Sequence, residues 1–127
     1  VFVLAATSNP EGAQVQSAVQ GEKTIAQTIV DDVTARTPEA GHLGSYGIVL
    51  GATLASAPDL TGFPGPVLMP GVGAQGGGPE SVRRLAGDRP RQAVPNVSRE
   101  ILRAGPSVSD LRAALEQANE AFAFLQA

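Results

Sequence analysis

Cysteine is absent from this 127-residue chain, so neither a disulfide framework nor a thiolate metal site is available to it. Histidine is nearly absent as well: the lone His42, in a Pro/Gly-rich connection that reads as exposed, excludes a multi-histidine metal site. Positive charge is scarce and scattered. With a net charge of −3 there is no basic patch to hold nucleic acid. Long apolar runs are missing too; Val1 to Ala6 is far too short to span a bilayer, and no basic segment precedes it. These absences set nucleic acid, membrane and metal aside as partners. The expectation is a soluble protein of the reducing cytoplasm.

Aromatics make up only 4% of the chain, whereas Gly (15) and Pro (10) are plentiful. A core must therefore rest on Val, Ile, Leu and Ala, the residues of buried parallel strands with helices packed outside. Four short apolar runs fit this: Val1 to Ala6, Tyr46 to Gly51, Pro66 to Met69 and Ala93 to Val97. None carries a formal charge, and none alternates, which predicts strands buried on both faces. Helical spacing appears between and after them. Thr24 to Ala35 places Ile25, Ile29 and Val33 on one face. Pro79 to Ala86 begins with Pro at a favourable first position. Val108 to Leu125 carries Leu111, Leu115, Ala118 and Phe122, with Ser107 or Ser109 as its cap.

The order predicted is β-α-β-α-β-α-β-α, which implies a parallel sheet with right-handed crossovers. Either an open doubly wound sheet or part of a (β/α)8 barrel fits. A whole barrel needs about 250 residues, and four units are half of eight. The chain also starts at Val1, with no initiator Met, inside a predicted strand. The expectation is α/β, with residues 1–127 a single partial domain cut from something longer.

In both architectures function gathers at the C-terminal ends of the strands. The unusual loops fall there: Thr7 to Gly12, Gly51-Ala52-Thr53, Pro70 to Gly78, and Ser98-Arg99-Glu100. Gly71-Val72-Gly73-Ala74-Gln75-Gly76 matches G-x-G-x-x-G, and Arg91 stands where a 2′-phosphate partner would. An NAD(P)-binding module nevertheless fits poorly. Pro79 would fall past the first turn of a helix starting inside the motif, and no acidic residue ends the next strand. A backbone cradle for an anion fits better, because glycines let main-chain N–H groups approach closely. Arg99, at the end of the following strand, can grip a phosphate bidentately. An arginine in the first turn of a helix opposes the macrodipole and wants an anion beside it.

Those four loops, with Val97-Ser98-Arg99-Glu100-Ile101-Leu102 closing the last, resemble in order and spacing the fifth to eighth βα units of the orotidine 5′-monophosphate decarboxylases. The likeness is closest to the bacterial type-2 branch of actinobacteria, mycobacteria included. It implies the C-terminal half of a TIM (β/α)8 barrel, a homodimer, no cofactor, and conversion of orotidine monophosphate to uridine monophosphate. By the same resemblance Ser8 hydrogen-bonds the pyrimidine edge, and Gln75 bridges that serine and the phosphate. Arg99 grips the phosphate, helped by backbone donors at Gly76, Gly77 and Ser98. Ser98 departs from the pattern, since many relatives carry a small residue there, often Gly. Without the resemblance, Ser8 reads as the N-cap of a short helix after Pro10.

No catalytic residue is expected in this chain. The family's Lys–Asp–Lys–Asp array has the signature Asp-x-Lys-x-x-Asp, which does not occur. The only lysine, Lys23, is predicted at a helix start; Asp31-Asp32 reads as a solvated face, and Glu11 and Asp59 as helix starts. Arg103, one turn after Arg99, reads as solvated. Asn96-Val97-Ser98 spells a glycosylation sequon but falls in a predicted buried strand. The partners implied are a nucleotide monophosphate and a complementary N-terminal half. The alternative is a non-catalytic phosphate-binding half-barrel.

Overall fold

Each of the four apolar runs forms a strand in the computed structural model, which describes residues 1–37 and 43–126; His42 lies outside them. In chain order the elements are β1 (Phe2–Ala6), α1 (Gly12–Gln16), β2 (Val19–Gln20), β3 (Lys23–Thr24), α2 (Ile25–Arg36), β4 (Gly47–Leu50), β5 (Val67–Pro70), α3 (Pro79–Ala86), β6 (Ala93–Asn96), α4 (Arg99–Leu102) and α5 (Val108–Ala121). Strands β1, β4, β5 and β6 make one parallel sheet in that spatial order, so every crossover joins neighbours.

Register divides the sheet into two faces. Val3, Ile48, Val67 and Ala93 pair across it and point into the core, with Ala26, Val30 and Val33 of α2 and Val82, Leu85 and Ala86 of α3. The next row, Leu4, Val49, Leu68 and Val94, lies on the opposite face and outside that core. Leu4 is 63% and Val94 41% exposed, whereas Val49 between them is 8% exposed. This second face is apolar and uncovered at both edges.

The helices obey their sequence signals closely. Thr24 is the cap of α2 rather than its first residue; its Oγ1 accepts from the Gln27 N–H at 3.1 Å. Helix α3 spans the predicted Pro79 to Ala86, and Ser81 Oγ accepts from the Gly78 N–H at 2.9 Å before its first turn. Helix α5 stops at Ala121, and Ala123–Gln126 tightens into a 3-10 turn that lays Phe124 3.9 Å from the Arg83 guanidinium. Ser107 occupies the cap position of α5, but its Oγ meets Ser109 Oγ at 2.7 Å instead of a helix N–H. No helix among the described residues is long and apolar enough to cross a membrane.

Two expectations need correcting. Lys23 is not at a helix start: it belongs to a two-stranded hairpin, β2 with β3, and its Nζ lies 2.5 Å from Asp31 Oδ2. That hydrogen bond holds the Asp31 carboxyl below the usual carboxylate range. The second correction concerns the crossover from β4 to β5. Residues 51–66 contain no helix, although the alternation predicts one there. Pro58, Gly62, Pro64 and Gly65 interrupt any helical run, and Asp59 accepts from the Thr61 N–H at 2.8 Å in a turn rather than starting a helix.

That segment covers the core as a strap. Phe63 is fully buried, and Leu54, Ala57 and Leu60 pack beside it. Side chains from elsewhere tie the strap down through its backbone. Arg84 donates to the Leu54 and Ala55 carbonyls, and Arg89 and Gln92 both donate to the Phe63 carbonyl, at 2.9 and 2.8 Å. Gln27 of α2 accepts from the Asp59 N–H at 2.7 Å and donates to the Asp59 carbonyl at 3.1 Å. Gln27→Ala removes both bonds and is expected to cost about 1 kcal/mol. A lower urea midpoint at unchanged slope would show it; an unmoved midpoint would deny Gln27 that role.

Candidate functional site

Because the four strands run parallel, the segments leaving β1, β4, β5 and β6 emerge at one end of the sheet. The first, residues 7–12, is knit by side chains. Gln16 bonds both the N–H and the carbonyl of Thr7, and Thr7 Oγ1 donates to Asn9 Oδ1 at 2.5 Å. Asn9 in turn donates to Glu11 at 3.2 Å. Glu11 stands at the cap position of α1 without a side-chain bond to the helix, and a hydrogen bond with its own backbone, then the one from Asn9, holds its carboxyl below the usual range. Ser8 is therefore not the helix cap. It is exposed, and its Oγ makes no hydrogen bond among the described residues.

Ser8 rests directly on the next strand end. A Cβ placed on Gly51 would lie 2.8 Å from Ser8 N and 3.1 Å from its Oγ, so only glycine permits this approach. Ala52, fully buried, donates its N–H to the Pro70 carbonyl at 2.8 Å and abuts Gly77. The second strand end is thereby wedged between Ser8 and the glycine loop.

The glycine loop is a closed ring. Gly71, Gly73 and Gly76 take φ of +98°, +76° and +93°, conformations that side chains disfavour. Inside the ring Gly73 N–H donates to Gly77 O at 2.8 Å, Gly76 N–H to Gly73 O at 2.8 Å, and Gly77 N–H to Gly71 O at 3.0 Å. The Gly76 and Gly77 N–H groups, expected as donors to an anion, are both committed to the ring here. At the tip, the Ala74 and Gln75 N–H groups make no hydrogen bond among the described residues. The Gln75 side chain folds back over the loop, its Oε1 2.8 Å from where a Gly71 Cβ would be. It makes no hydrogen bond to Ser8.

Helix α4 completes this end. Ser98 caps it by position only, with no side-chain bond to the helix, and Arg99 is its first residue. Glu100 lays its carboxylate over Gly73, where any side chain on that residue would collide with it. Arg99 thus starts a turn that touches the glycine loop. Its guanidinium is exposed and has no hydrogen bond or ion pair among the described residues. Arg103, at the C-terminal cap of α4, is likewise exposed.

Ser8, Gln75 and Arg99 are thus carried by three strand-end segments, the first joined to the glycine loop through Gly51 and Ala52 and the last touching it through Glu100, and each presents a polar group without a bond among the described residues. This arrangement suits a polar, anionic ligand lying across the strand ends. It offers no paired acid and base for chemistry. Sequence reasoning missed Gln16, whose clamp on Thr7 joins residues nine apart with no periodic signal; it placed Gly51 in a strand-end loop but could not show its contact with Ser8, which is purely spatial.

The chain as a whole is similar to known proteins in sequence and fold. Residues 1–114 match the Orotidine 5′-phosphate decarboxylase / HUMPS family. A curated orotidine 5′-phosphate decarboxylase of Streptomyces coelicolor is 48% identical over 120 residues, which are 92% of this chain and 43% of that protein. The crystal structure of a protein assigned as orotidine 5′-phosphate decarboxylase from Streptomyces avermitilis superposes with a TM-score of 0.83 at 44% identity, covering 99% of this chain and 45% of that one. The Leishmania donovani OMP decarboxylase gives 0.68 at 25% identity, over 99% and 48%. The chain therefore spans less than half the length of these relatives, and its parallel sheet is part of their (β/α)8 barrel. By the match along nearly its whole length, this chain belongs to the orotidine 5′-phosphate decarboxylase / HUMPS family.

Proposed function

We propose that this chain is the C-terminal, substrate-gripping half of an orotidine 5′-phosphate decarboxylase. The observation that carries this is the unpaired Arg99 guanidinium at the start of α4, beside the glycine loop, in a chain of this family. Arg99 holds the phosphate, Gln75 spans from it toward Ser8, and Ser8 meets the pyrimidine edge. Donors left open at the Gln75 tip and the Ser98–Arg99 turn supplement the grip; Gly76 and Gly77 would have to release their ring bonds to join. The Gln75 loop would close over the ligand, so phosphate binding would help hold the reactive arrangement.

In the reaction the C6–carboxylate bond breaks, CO2 leaves, and the electron pair kept on C6 takes a proton from a lysine. The complementary N-terminal half supplies that lysine and its charged partners. It would also cover the open apolar face of Leu4, Val49, Leu68 and Val94. A cytoplasmic homodimer is the form expected of the whole. The dinucleotide alternative is disfavoured because α3 begins at Pro79, beyond the glycine run.

The experiment is a decarboxylation assay on this chain joined to the N-terminal half of a close relative. Release of CO2 in step with uridine monophosphate is expected. A well-folded assembly that binds uridine monophosphate but releases no CO2 would overturn this proposal in favour of a binding module.

A further inference from the structure

At the end of β1 the chain loses its sheet partner. The Ala6 carbonyl still accepts from the Gly51 N–H at 2.9 Å, but the Thr7 peptide has no strand beside it. Gln16 replaces that strand. The Thr7 N–H donates to Gln16 Oε1 at 2.7 Å, and Gln16 Nε2 donates to the Thr7 carbonyl at 2.9 Å. One carboxamide thus satisfies both polar groups of Thr7, as a neighbouring strand would. The space for this knot exists because residue 12 is glycine. A Cβ there would lie 2.9 Å from Thr7 Oγ1, 3.0 Å from Asn9 Oδ1 and 3.2 Å from Gln16 Oε1.

Ser8 is the next residue. Its side chain has no hydrogen bond among the described residues, so its aim is set by the backbone leaving Thr7 and by its rest on Gly51. We infer that Gln16 is a positioning residue for substrate: by clamping Thr7 it fixes the direction in which Ser8 leaves β1 and points Ser8 Oγ at the pyrimidine edge. This rests on the proposed function, since it needs a pyrimidine at Ser8. The Gln16 side-chain hydrogen bonds all go to Thr7 and none to Gln75 or Arg99, so its influence belongs to the base end of the ligand.

The test uses Gln16→Met in the completed barrel, which keeps side-chain length while removing the paired hydrogen bonds. Affinity for uridine monophosphate is expected to fall about tenfold, on the scale of one to two neutral hydrogen bonds. Ribose 5-phosphate carries the phosphate without the base, so its affinity should change less than about twofold, and Gln16→Met should add nothing in a Ser8→Ala background. Equal losses for both ligands, or additive losses with Ser8→Ala, overturn the inference while leaving the phosphate grip standing. If Arg99→Ala leaves both affinities unchanged, the phosphate grip and this inference fall together. Hydrogen exchange gives a check independent of ligand: the Thr7 amide should lose protection in Gln16→Met while the β1 amides keep theirs. An unchanged Thr7 amide overturns the clamp itself.

Discussion

Orotidine 5′-monophosphate incubated with the 127-residue chain alone is expected to stay intact. Decarboxylation leaves a carbanion at C6, and electrostatic stabilisation aimed at developing charge is commonly the largest contribution to such catalysis. The chain has one lysine to offer. Lys23 is carried on the β2–β3 hairpin rather than at a strand end, and its ammonium is already paired with Asp31 at 2.5 Å. That pairing raises the Lys23 pKa, which makes the ammonium a poorer proton donor. Among the described residues the other ion pair, Arg36 with Asp32, is exposed on α2. Neither ion pair includes Ser8, Gln75 or Arg99. Monitoring the orotate absorbance over hours, beside the chain joined to its complementary half, reads the result directly. Turnover by the chain alone would show that its own residues perform the chemistry.

Replacing Arg99 with Ala in the completed barrel should weaken uridine monophosphate binding by about 1.5–3 kcal/mol, the range for a charged hydrogen bond. That corresponds to about 10- to 150-fold in the dissociation constant. Arg99→Lys should recover only part of it, because an ammonium keeps the charge but cannot match a phosphate bidentately. The same change should leave folding stability intact. Arg99 opens a helix, where a cation opposes the macrodipole, and no partner among the described residues compensates it. Loss of affinity with an unmoved or slightly raised unfolding midpoint marks a residue retained for ligand. Unchanged affinity, or a fall in stability matching the loss of binding, would remove Arg99 from the grip.

The sheet was legible because buried parallel strands leave a plain mark: four uncharged apolar runs, each followed by turn residues. Helix α3 was legible to the residue because Pro79 and Gly87 punctuate it. The strap over residues 51–66 was not, because its cohesion comes from Arg84, Arg89, Gln92 and Gln27, none of them within it. The β2–β3 hairpin was missed because two-residue strands are too short to show a period. At the site, Arg99 could be singled out from its place at a helix start and Ser8 only through family likeness. The commitment of the Gly76 and Gly77 N–H groups was hidden: a run of glycines says that the backbone can bend sharply, not which of its donors remain free.

The strap carries a consequence for how this protein tolerates change. The hydrogen bonds by which Gln27, Arg84, Arg89 and Gln92 anchor it all end on a main-chain atom of Leu54, Ala55, Asp59 or Phe63. Main-chain atoms survive any substitution that keeps the path of the chain, so the strap's exposed positions are free to drift. The burden of keeping it in place falls on residues outside it. Mutational sensitivity should therefore be displaced from the segment that is held to the side chains that hold it, with the buried Ala52 and Phe63 and the crowded Gly51 and Gly65 the exceptions.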